Sequence, residues 1–314
     1  MQKRMRPSLP TAFTLVEVLV VVGVIGILVG LLLPAVQSVR EVANRVKCSN
    51  NLKHIGLASL QYESHYGTLP PARLGNVQPS WAFVILPWLD QENLFRAWDF
   101  SNYDLTQLNT TVLRADVPIF YCPSIGRGSD EWRRLKISLY SATCGGEHPP
   151  INKGNLLGTP GDYAACVGTT DEDRASVLPT GQWIGANGAV AWVPNPRGSA
   201  IRGLPLLAFK DGLSNTLLIG EKHIPASRLG EAPFDCSLWD GHIPTCNVRA
   251  AGVDYPLAFD RAEVMWSFGS PHPSVCQFVF CDGSVHPLDK RIDPITLGLL
   301  ANRHDGLATP DWDR

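Results

Sequence analysis

Residues 13–33, FTLVEVLVVVGVIGILVGLLL, form one apolar run of 21 residues that contains a single charged side chain, Glu17. A helix rises about 1.5 Å per residue, so this run would span about 30 Å, the thickness of the hydrocarbon core of a bilayer. A single segment in lipid has to satisfy its backbone hydrogen bonds internally, which a helix achieves. The run therefore predicts one transmembrane helix near the N-terminus.

The twelve residues before this run predict its orientation. They read MQKRMRPSLPTA and carry Lys3, Arg4 and Arg6 without any acidic residue. The positive-inside rule keeps such a segment in the cytoplasm, so we expect the bulk of the chain to be extracytoplasmic. A cleaved secretory signal peptide is the alternative, because it also begins with a basic region. The apolar run is long for a signal peptide and no small-residue cleavage site follows it, so we favour a membrane anchor.

Glu17 is the most informative residue of the apolar run. A carboxylate that faces lipid costs a few kcal/mol, about 3 on insertion scales. One interpretation is that Glu17 lies near the cytoplasmic interface and reaches water. The other is that it awaits a positive group from a neighbouring copy of the chain. If the chain were cut between Ala12 and Phe13, the new amino group of Phe13 would be such a group.

The segment PTA-FTLVEVLVVVGVIGILVGLLLPAVQ resembles the N-terminal motif of type IV prepilins and type II secretion pseudopilins. This resemblance implies cleavage between Ala12 and Phe13 and N-methylation of Phe13 by a prepilin peptidase. It also implies that Glu17 acts in assembly and that the chain is a structural subunit of a pilus-like or pseudopilus-like fibre, held in the inner membrane before assembly. The sequence departs from the motif at Ala12, where the family usually has glycine.

The composition favours a turn-rich extracytoplasmic head. Gly and Pro number 28 and 25, charged residues are 18% of the chain, and 27 Lys and Arg stand against 29 Asp and Glu. Nothing in this balance indicates a nucleic-acid partner. Eight cysteines in an exported chain suggest disulfides, and their pairing stays open. Cys236 and Cys246 flank a short loop and are a plausible pair, whereas Cys276 and Cys281 lie on one predicted strand too far apart to bond.

The pattern after the apolar run predicts one long helix followed by an α+β head. Val36, Val39 and Val46, and then Leu52, Ile55 and Ser59, recur at helical spacing, and we expect that stripe to face the head. Pro70 and Pro71 follow the end of the helix. The resulting organisation is a leader (1–12), a transmembrane helix (13–33), its extramembrane continuation (34–66) and the head (67–314). The predicted fold is pilin-like, with the long helix packed on a mainly antiparallel β head.

Short apolar runs in the head predict its strands and last helix. We expect strands at 119–124, 163–168, 189–193 and 217–221, and a β-hairpin over 276–288. Asp282-Gly283 suits a type I′ turn between the two hairpin strands. Asp293 is a predicted N-cap and Pro294 the first residue of a short helix that ends near Asn302.

A second resemblance covers nearly the whole chain. The segments CSNNLKHIGLASLQYES, LPPA, ILPWLDQ, FYCPS, DGLSNTLLIGEK and SPHPSVCQFVFCDGSVHPL occur in the order typical of the DUF1559 family of pilin-like proteins. That family is marked near its C-terminus by a histidine, nine residues and Asp-Gly. Here the mark is His272 followed by Asp282 and Gly283. The role of this motif stays open.

We considered whether His272 belongs to an enzyme or a metal site. Catalysis by His272 and Asp282 with a nearby serine lacks a strained nucleophile turn, and the hairpin turn already explains Asp282. Zinc bound by His272, Asp282 and His286 would have unusual spacing. We therefore expect no catalytic residue, metal or cofactor, and expect His272 to tether a loop to the hairpin. We expect Glu221 and Lys222 to form a charge pair at a sheet edge.

The sequence thus predicts a non-enzymatic fibre subunit with several partners. They are a prepilin peptidase, sibling subunits, the membrane and an assembly platform. The alternative is a membrane-anchored extracytoplasmic binding protein, for example one that binds carbohydrate. Whether the fibre is a pilus or a secretion pseudopilus is not encoded in these motifs.

Overall fold

The structure is a computed structural model. It describes residues 14–75, 79–100, 110–127, 135–137, 156–177, 183–193, 202–231, 234–239, 241, 244–310 and 312. The chain divides into two compact units, Met1–Asn44 and Arg45–Arg314. The boundary lies inside the first helix, α1 (Leu15–Tyr66), so this one element contributes to both units.

The first unit is the N-terminal part of α1. The helix includes Pro34, and the Ser38 hydroxyl donates to the Pro34 carbonyl over 3.0 Å. Its apolar side chains are exposed, as Leu15 (80%) and Leu31 (70%) illustrate. Helix α1 is long and apolar enough to cross a membrane. The predicted helix is therefore confirmed, and Pro34 does not end it.

Within the second unit, α1 buries one face. Its buried positions recur every three or four residues, the period of a helix face: Cys48, Asn51, Leu52, Ile55, Gly56, Ala58, Ser59 and Tyr62. The prediction for Leu52, Ile55 and Ser59 is confirmed. The prediction for the earlier part of the stripe is wrong, because Val36, Val39 and Val46 are all exposed.

The head of the protein is built around a five-stranded sheet. The remaining helices are α2 (Trp81–Val84), α3 (Glu92–Arg96), α4 (Thr110–Leu113) and α5 (Pro294–Ala301). The strands are β1 (Leu135–Ile137), β2 (Leu156–Gly158), β3 (Tyr163–Gly168), β4 (Ala175–Val177), β5 (Trp183–Gly185), β6 (Leu217–Glu221), β7 (Val248–Ala250), β8 (Val275–Phe280) and β9 (Val285–Asp289). Short 3₁₀ helices span Leu86–Leu89, Pro118–Phe120, Pro123–Ile125, Leu206–Ala208, Leu213–Asn215, Ala226–Arg228 and Pro244–Cys246.

The sheet order β7-β3-β6-β8-β9 is antiparallel except for the β3–β7 pair. β1 pairs with β2 and β4 with β5, both antiparallel. The central strands are buried on both faces, as continuous apolar runs such as YAACVG predict. Strand β9 lies at the edge of the sheet. Its Pro287 has no N–H to donate, which an edge strand tolerates because only one of its sides is paired. The predicted α+β fold with a mainly antiparallel sheet is confirmed.

Alternation along the strands separates two apolar layers. One face of the sheet shares its core with α1, through residues such as Ala165, Ile219 and Val279. The opposite face, which includes Phe278 and Phe280, packs with α5. Within the second unit, the C-terminal part of α1 therefore packs on one face of the sheet and α5 packs on the other.

The C-terminal hairpin and helix agree with the sequence, except in the turn. β8 and β9 pair antiparallel, and the Asp293 side chain caps α5 by accepting from the Thr296 N–H. Of Asp282 and Gly283, only Gly283 has a positive φ, 81°. Its N–H donates to the Phe280 carbonyl, the pattern of a type I turn followed by a left-handed glycine. The predicted type I′ turn, which needs two positive φ angles, is wrong.

Two other predicted strands are also wrong. Residues 119–124 form parts of two 3₁₀ turns, because Pro118 and Pro123 open them and lack the N–H that a strand ladder needs. Residues 189–193 make only isolated bridges at Trp192 and Val193. The glycine before them, Gly188, approaches β3 so closely that a Cβ would lie 2.2 Å from the Gly168 nitrogen.

The close packing of α1 on β8 generates a first prediction. A Cβ at Gly56 would lie 2.4 Å from Cγ2 of Val279, a fully buried and stiff side chain. Alanine normally favours a helix over glycine, yet here we expect Gly56→Ala to lower the free energy of unfolding by about 1–3 kcal/mol. Denaturant unfolding of the purified full-length protein in detergent measures it.

The exposed neighbour His54 supplies the control, since His54→Ala should change stability by less than about 0.5 kcal/mol. Adding Gly56→Ala to Val279→Ala should cost much less than adding it to the wild type. Equal costs in both backgrounds would show that Val279 is not the obstacle.

Candidate functional site

The residues of the predicted processing and assembly site are only partly described. Ala12 and Phe13 lie outside the described residues. Glu17 is exposed in the first turn of α1, and its Oε2 accepts hydrogen bonds from Thr14 N (2.8 Å) and Thr14 Oγ1 (2.9 Å). The carboxylate therefore caps the first turn of its own helix, where the helix dipole favours a negative charge.

The residues of the predicted C-terminal motif lie at the two ends of β8. His272 precedes the strand and is fully buried. Asp282 and Gly283 follow it in the hairpin turn, where Asp282 Oδ1 accepts from Ser284 N (2.8 Å) and Ser284 Oγ (2.6 Å). The three motif residues therefore do not form one site: His272 lies at one end of β8, and Asp282 and Gly283 lie at the other.

The turn end of the motif contacts α1. Lys53 Nζ donates to the Gly283 carbonyl over 2.7 Å. A Cβ at Gly283 would lie 2.9 Å from Leu60 Cδ1, so the backbone of the turn approaches the helix closely. Glycine is required here for its left-handed φ and for this approach.

The histidine end of the motif lies in a buried cluster of four side chains. These four residues, Cys48, Cys122, Glu221 and His272, are here named the CCEH cluster, and their candidate ligand atoms all lie within 4.8 Å of one another. His272 Nε2 lies 3.0 Å from Glu221 Oε1 and 3.8 Å from Cys122 Sγ. Cys122 Sγ lies 2.9 Å from Cys48 Sγ and 4.0 Å from Glu221 Oε1.

Four different parts of the chain supply the CCEH cluster. Cys48 comes from the buried face of α1, and Cys122 immediately precedes the 3₁₀ turn Pro123–Ile125. Glu221 is the last residue of β6, and His272 stands in the segment before β8. Their exposed fractions are between 0 and 3%, so water does not solvate any of them.

Neighbouring groups hold the cluster side chains in place. Glu221 Oε2 accepts from the Gln277 backbone N–H over 2.8 Å, which leaves Oε1 directed at the cluster. The Cys122 N–H donates to Asp162 Oδ2 over 2.8 Å, and the His272 N–H donates to Ser270 Oγ over 3.0 Å.

A buried ion-pair triad supports the Cys122 segment from behind. Arg127 donates to Asp162 and to Asp235, with nitrogen–oxygen distances down to 2.5 and 2.7 Å. All three charged groups are almost fully buried. Breaking such a triad leaves an uncompensated charge in the interior, so it restrains the loop that carries Cys122.

The surroundings of Cys122 favour a neutral thiol at that residue. The hydrogen bond with Cys48 and, after it, burial raise the pKa of the Cys122 thiol well above its usual range.

Lys222, the residue after Glu221, is also buried, and its burial lowers the pKa of its amino group to about 7. Lys222 Nζ donates to the Cys246 carbonyl. The expected charge pair of Glu221 and Lys222 at a sheet edge is therefore wrong, because both are interior residues with different partners.

The cysteines divide into bonded and free groups. Cys236 and Cys246 form a disulfide, so the predicted local pair is present. Among the other described cysteines, the free ones are Cys48, Cys122, Cys166, Cys276 and Cys281. Cys144 lies outside the described residues. Two of the free thiols thus belong to the CCEH cluster.

Residues 37–295 match the model of the family described as Protein of unknown function (DUF1559). The chain belongs to the DUF1559 family. The matched range includes every residue of the CCEH cluster and the whole H-x₉-DG motif of this DUF1559 protein. Neither the curated proteins nor the solved structures contain a significant match to it.

Sequence reasoning identified His272 but missed its partners. The structure does not bring His272 together with Asp282 and His286, since Asp282 lies in the turn and His286 packs against the Phe280 ring. A signal for the true partners was present. Cys48, Cys122 and Glu221 each stand in a different one of the short segments that carry the DUF1559 resemblance.

The turn end of the motif generates a second prediction. Gly283→Ala should lower the free energy of unfolding by about 1–2 kcal/mol through the left-handed φ, and further through the contact with Leu60. Gly306→Ala is the matched control, because its φ is +72° and a Cβ there would meet nothing within 4 Å. Thermal unfolding of both variants measures the difference. A loss no larger for Gly283→Ala than for Gly306→Ala would contradict the docking of the turn on α1.

Proposed function

We propose that this DUF1559 protein is a non-enzymatic structural subunit of a type IV pilus-like or type II secretion pseudopilus-like fibre. A prepilin peptidase cuts it between Ala12 and Phe13 in the inner membrane. Its N-terminal helix then leaves the lipid for a bundle of sibling helices at an assembly platform. The family and the apolar helix fit a membrane-anchored surface protein, and the fibre role is our extension of that fit.

The observation that carries the proposal is the exposed apolar surface of α1. Every described residue from Thr14 to Leu33 is exposed, although nearly all are apolar. Such a surface is stable only in lipid or against other apolar helices, because water around it costs about 25 cal/mol per Å². A fibre core built from sibling helices would provide the second environment.

Glu17 distinguishes a fibre subunit from a simple anchor. The single acid of the apolar run has no role in anchoring and makes insertion less favourable. In a staggered bundle, the amino group of Phe13 from one subunit would neutralise Glu17 of the next. That pairing would set the axial register between subunits and would be strong in the low-dielectric core.

The test is to separate sheared surface filaments from membranes in cells that express a prepilin peptidase and assembly platform. We expect Glu17→Ala to remain in the membrane fraction and to fall at least tenfold in filaments. Val18→Ala changes an adjacent exposed residue and should assemble normally. Normal filament assembly by Glu17→Ala would contradict the proposal.

A second candidate function is extracytoplasmic ligand binding, which a pocket on the second unit favours. The pocket has a volume of about 350 Å³ and is lined by aromatic rings, including Tyr62, Tyr66 and Trp88. The Trp88 ring lies 5.3 Å from the Tyr62 ring and 5.9 Å from the Tyr66 ring. Tyr62 is buried, but the rings of Tyr66 and Trp88 are at least partly exposed, and aromatic rings around a cavity of this size suit the apolar face of a sugar.

If this second function is correct, the full-length protein in detergent should bind glycans on an array. Trp88→Ala should then weaken binding at least tenfold, because an aromatic contact is lost. Trp266→Ala, which removes a partly exposed ring outside the pocket, should bind as the wild type does. Absence of glycan binding, or equal binding by both variants, would exclude this use of the pocket.

A further inference from the structure

We propose that the CCEH cluster binds one structural zinc ion. The proposal replaces the sequence-based expectation that the protein has no metal, and it is independent of the fibre role. The ion would be held by two cysteine sulfurs, one glutamate oxygen and one histidine nitrogen. These are the atoms that zinc accepts in closed tetrahedral sites.

The distances within the cluster suit a single small ion. Ideal zinc bonds of about 2.3 Å to sulfur and 2.0 Å to nitrogen or oxygen give a tetrahedron with edges of about 3.3–3.8 Å. The four edges that are known here measure 2.9, 3.0, 3.8 and 4.0 Å. The other two edges are no longer than 4.8 Å, so every edge lies within about 1.5 Å of the ideal length.

Burial gives a reason for an ion at this point. A carboxylate in a dry interior is unfavourable unless it is paired or coordinates a metal. Glu221 is 1% exposed and lies among two thiols and an imidazole that are equally buried. A divalent ion would offset two of the three negative charges that the carboxylate and two thiolates carry, and each cysteine would release its proton to solvent on binding.

The surroundings of Glu221 match those of a metal ligand. The Gln277 N–H fixes Oε2, so the other oxygen is presented to the cluster in one orientation. Outer contacts of this kind orient ligands and tune the affinity of zinc sites. With four protein ligands the site has no open position, which indicates a structural ion rather than a catalytic one.

A disulfide between Cys48 and Cys122 is the main competing interpretation. An oxidising compartment would favour that bond. It would use only two of the four convergent side chains and leave Glu221 and His272 as a separate buried pair. Zinc accounts for all four donors at once.

A zinc ion here would cross-link parts of the chain that are distant in sequence. It would tie α1, through Cys48, to the loop of Cys122, the end of β6 and the segment before β8. Structural zinc sites contribute directly to folding, so the ion would hold α1 on the sheet. The ion would therefore stabilise the contact between α1 and the sheet of the second unit.

The first test uses the full-length protein purified in detergent without chelators and measured by native mass spectrometry. We expect one zinc ion per chain. In parallel, the protein is denatured with a chelator and no reductant, then alkylated and mapped. Cys48 and Cys122 should both be alkylated. A Cys48–Cys122 disulfide, or a chain that does not bind added zinc, would overturn the proposal.

The second test separates a metal ligand from a merely structural histidine. His272→Cys retains a zinc ligand and should keep the ion, whereas His272→Gln retains hydrogen bonding and should weaken zinc binding at least about tenfold. His286→Ala, outside the cluster, should bind zinc as the wild type does. Cobalt added in place of zinc should give a thiolate charge-transfer band in the wild type and His272→Cys.

The outcomes of these variants are all decisive. Zinc retained equally by His272→Gln and His272→Cys would overturn the proposal, as would loss of zinc in His286→Ala. Absence of the cobalt–thiolate band in the wild type would also overturn it. The cobalt spectrum reports on the ligands directly, so a variant that only loses stability is distinguished from one that loses coordination.

Discussion

The packing of α1 against β8 is the contact on which the head depends. Gly56 allows the backbones to approach, because a larger residue would collide with Val279. Polar contacts lie on either side of this point: Gln277 donates to the Arg45 carbonyl, and Lys53 donates to the Gly283 carbonyl. The core layer on this face contains most of the buried apolar residues of the head, and α1 contributes Leu52, Ile55, Ala58 and Tyr62 to it, so losing this contact would expose part of that core.

The same contact gives the H-x₉-DG motif a physical explanation. Its histidine joins Cys48 in the CCEH cluster, and a Cβ at its glycine would lie 2.9 Å from Leu60 Cδ1. The helical rise from Cys48 to Leu60 is about 18 Å, and the six residues of β8 span about 17 Å. The strand between the two ends of the motif is thus as long as the helix segment that it covers. A change in the spacing would detach either the histidine or the turn from α1.

Much of this arrangement could be predicted from local chemistry, and the rest depended on distant contacts. The apolar period of α1 from Leu52 to Ser59, the alternation of β8 and the Asp293 cap are encoded by neighbouring residues, and the predictions for them are confirmed. Residues 119–124 and 189–193 have the hydrophobicity of strands. Pro118 and Pro123 keep the first segment out of a strand ladder, and the close approach of Gly188 to β3 restricts the second. The CCEH cluster could not be derived from spacing, because its members are separated by tens of residues and only folding brings them together. Sequence motifs single out two of its members, His272 and Glu221, but assign them separate roles.

The N-terminal and C-terminal parts of α1 require different environments. A fibre subunit needs both parts to remain in the mature protein as one helix. The first part needs an apolar environment, while the second is already part of the core of the head. Mass spectrometry of the mature N-terminus tests this most directly. For a fibre subunit we expect a mature chain that begins at Phe13 with an N-methylated amino group and retains all of α1. A mature chain that begins after Leu33 would show that the apolar run is a discarded signal peptide and that the protein is not a fibre subunit.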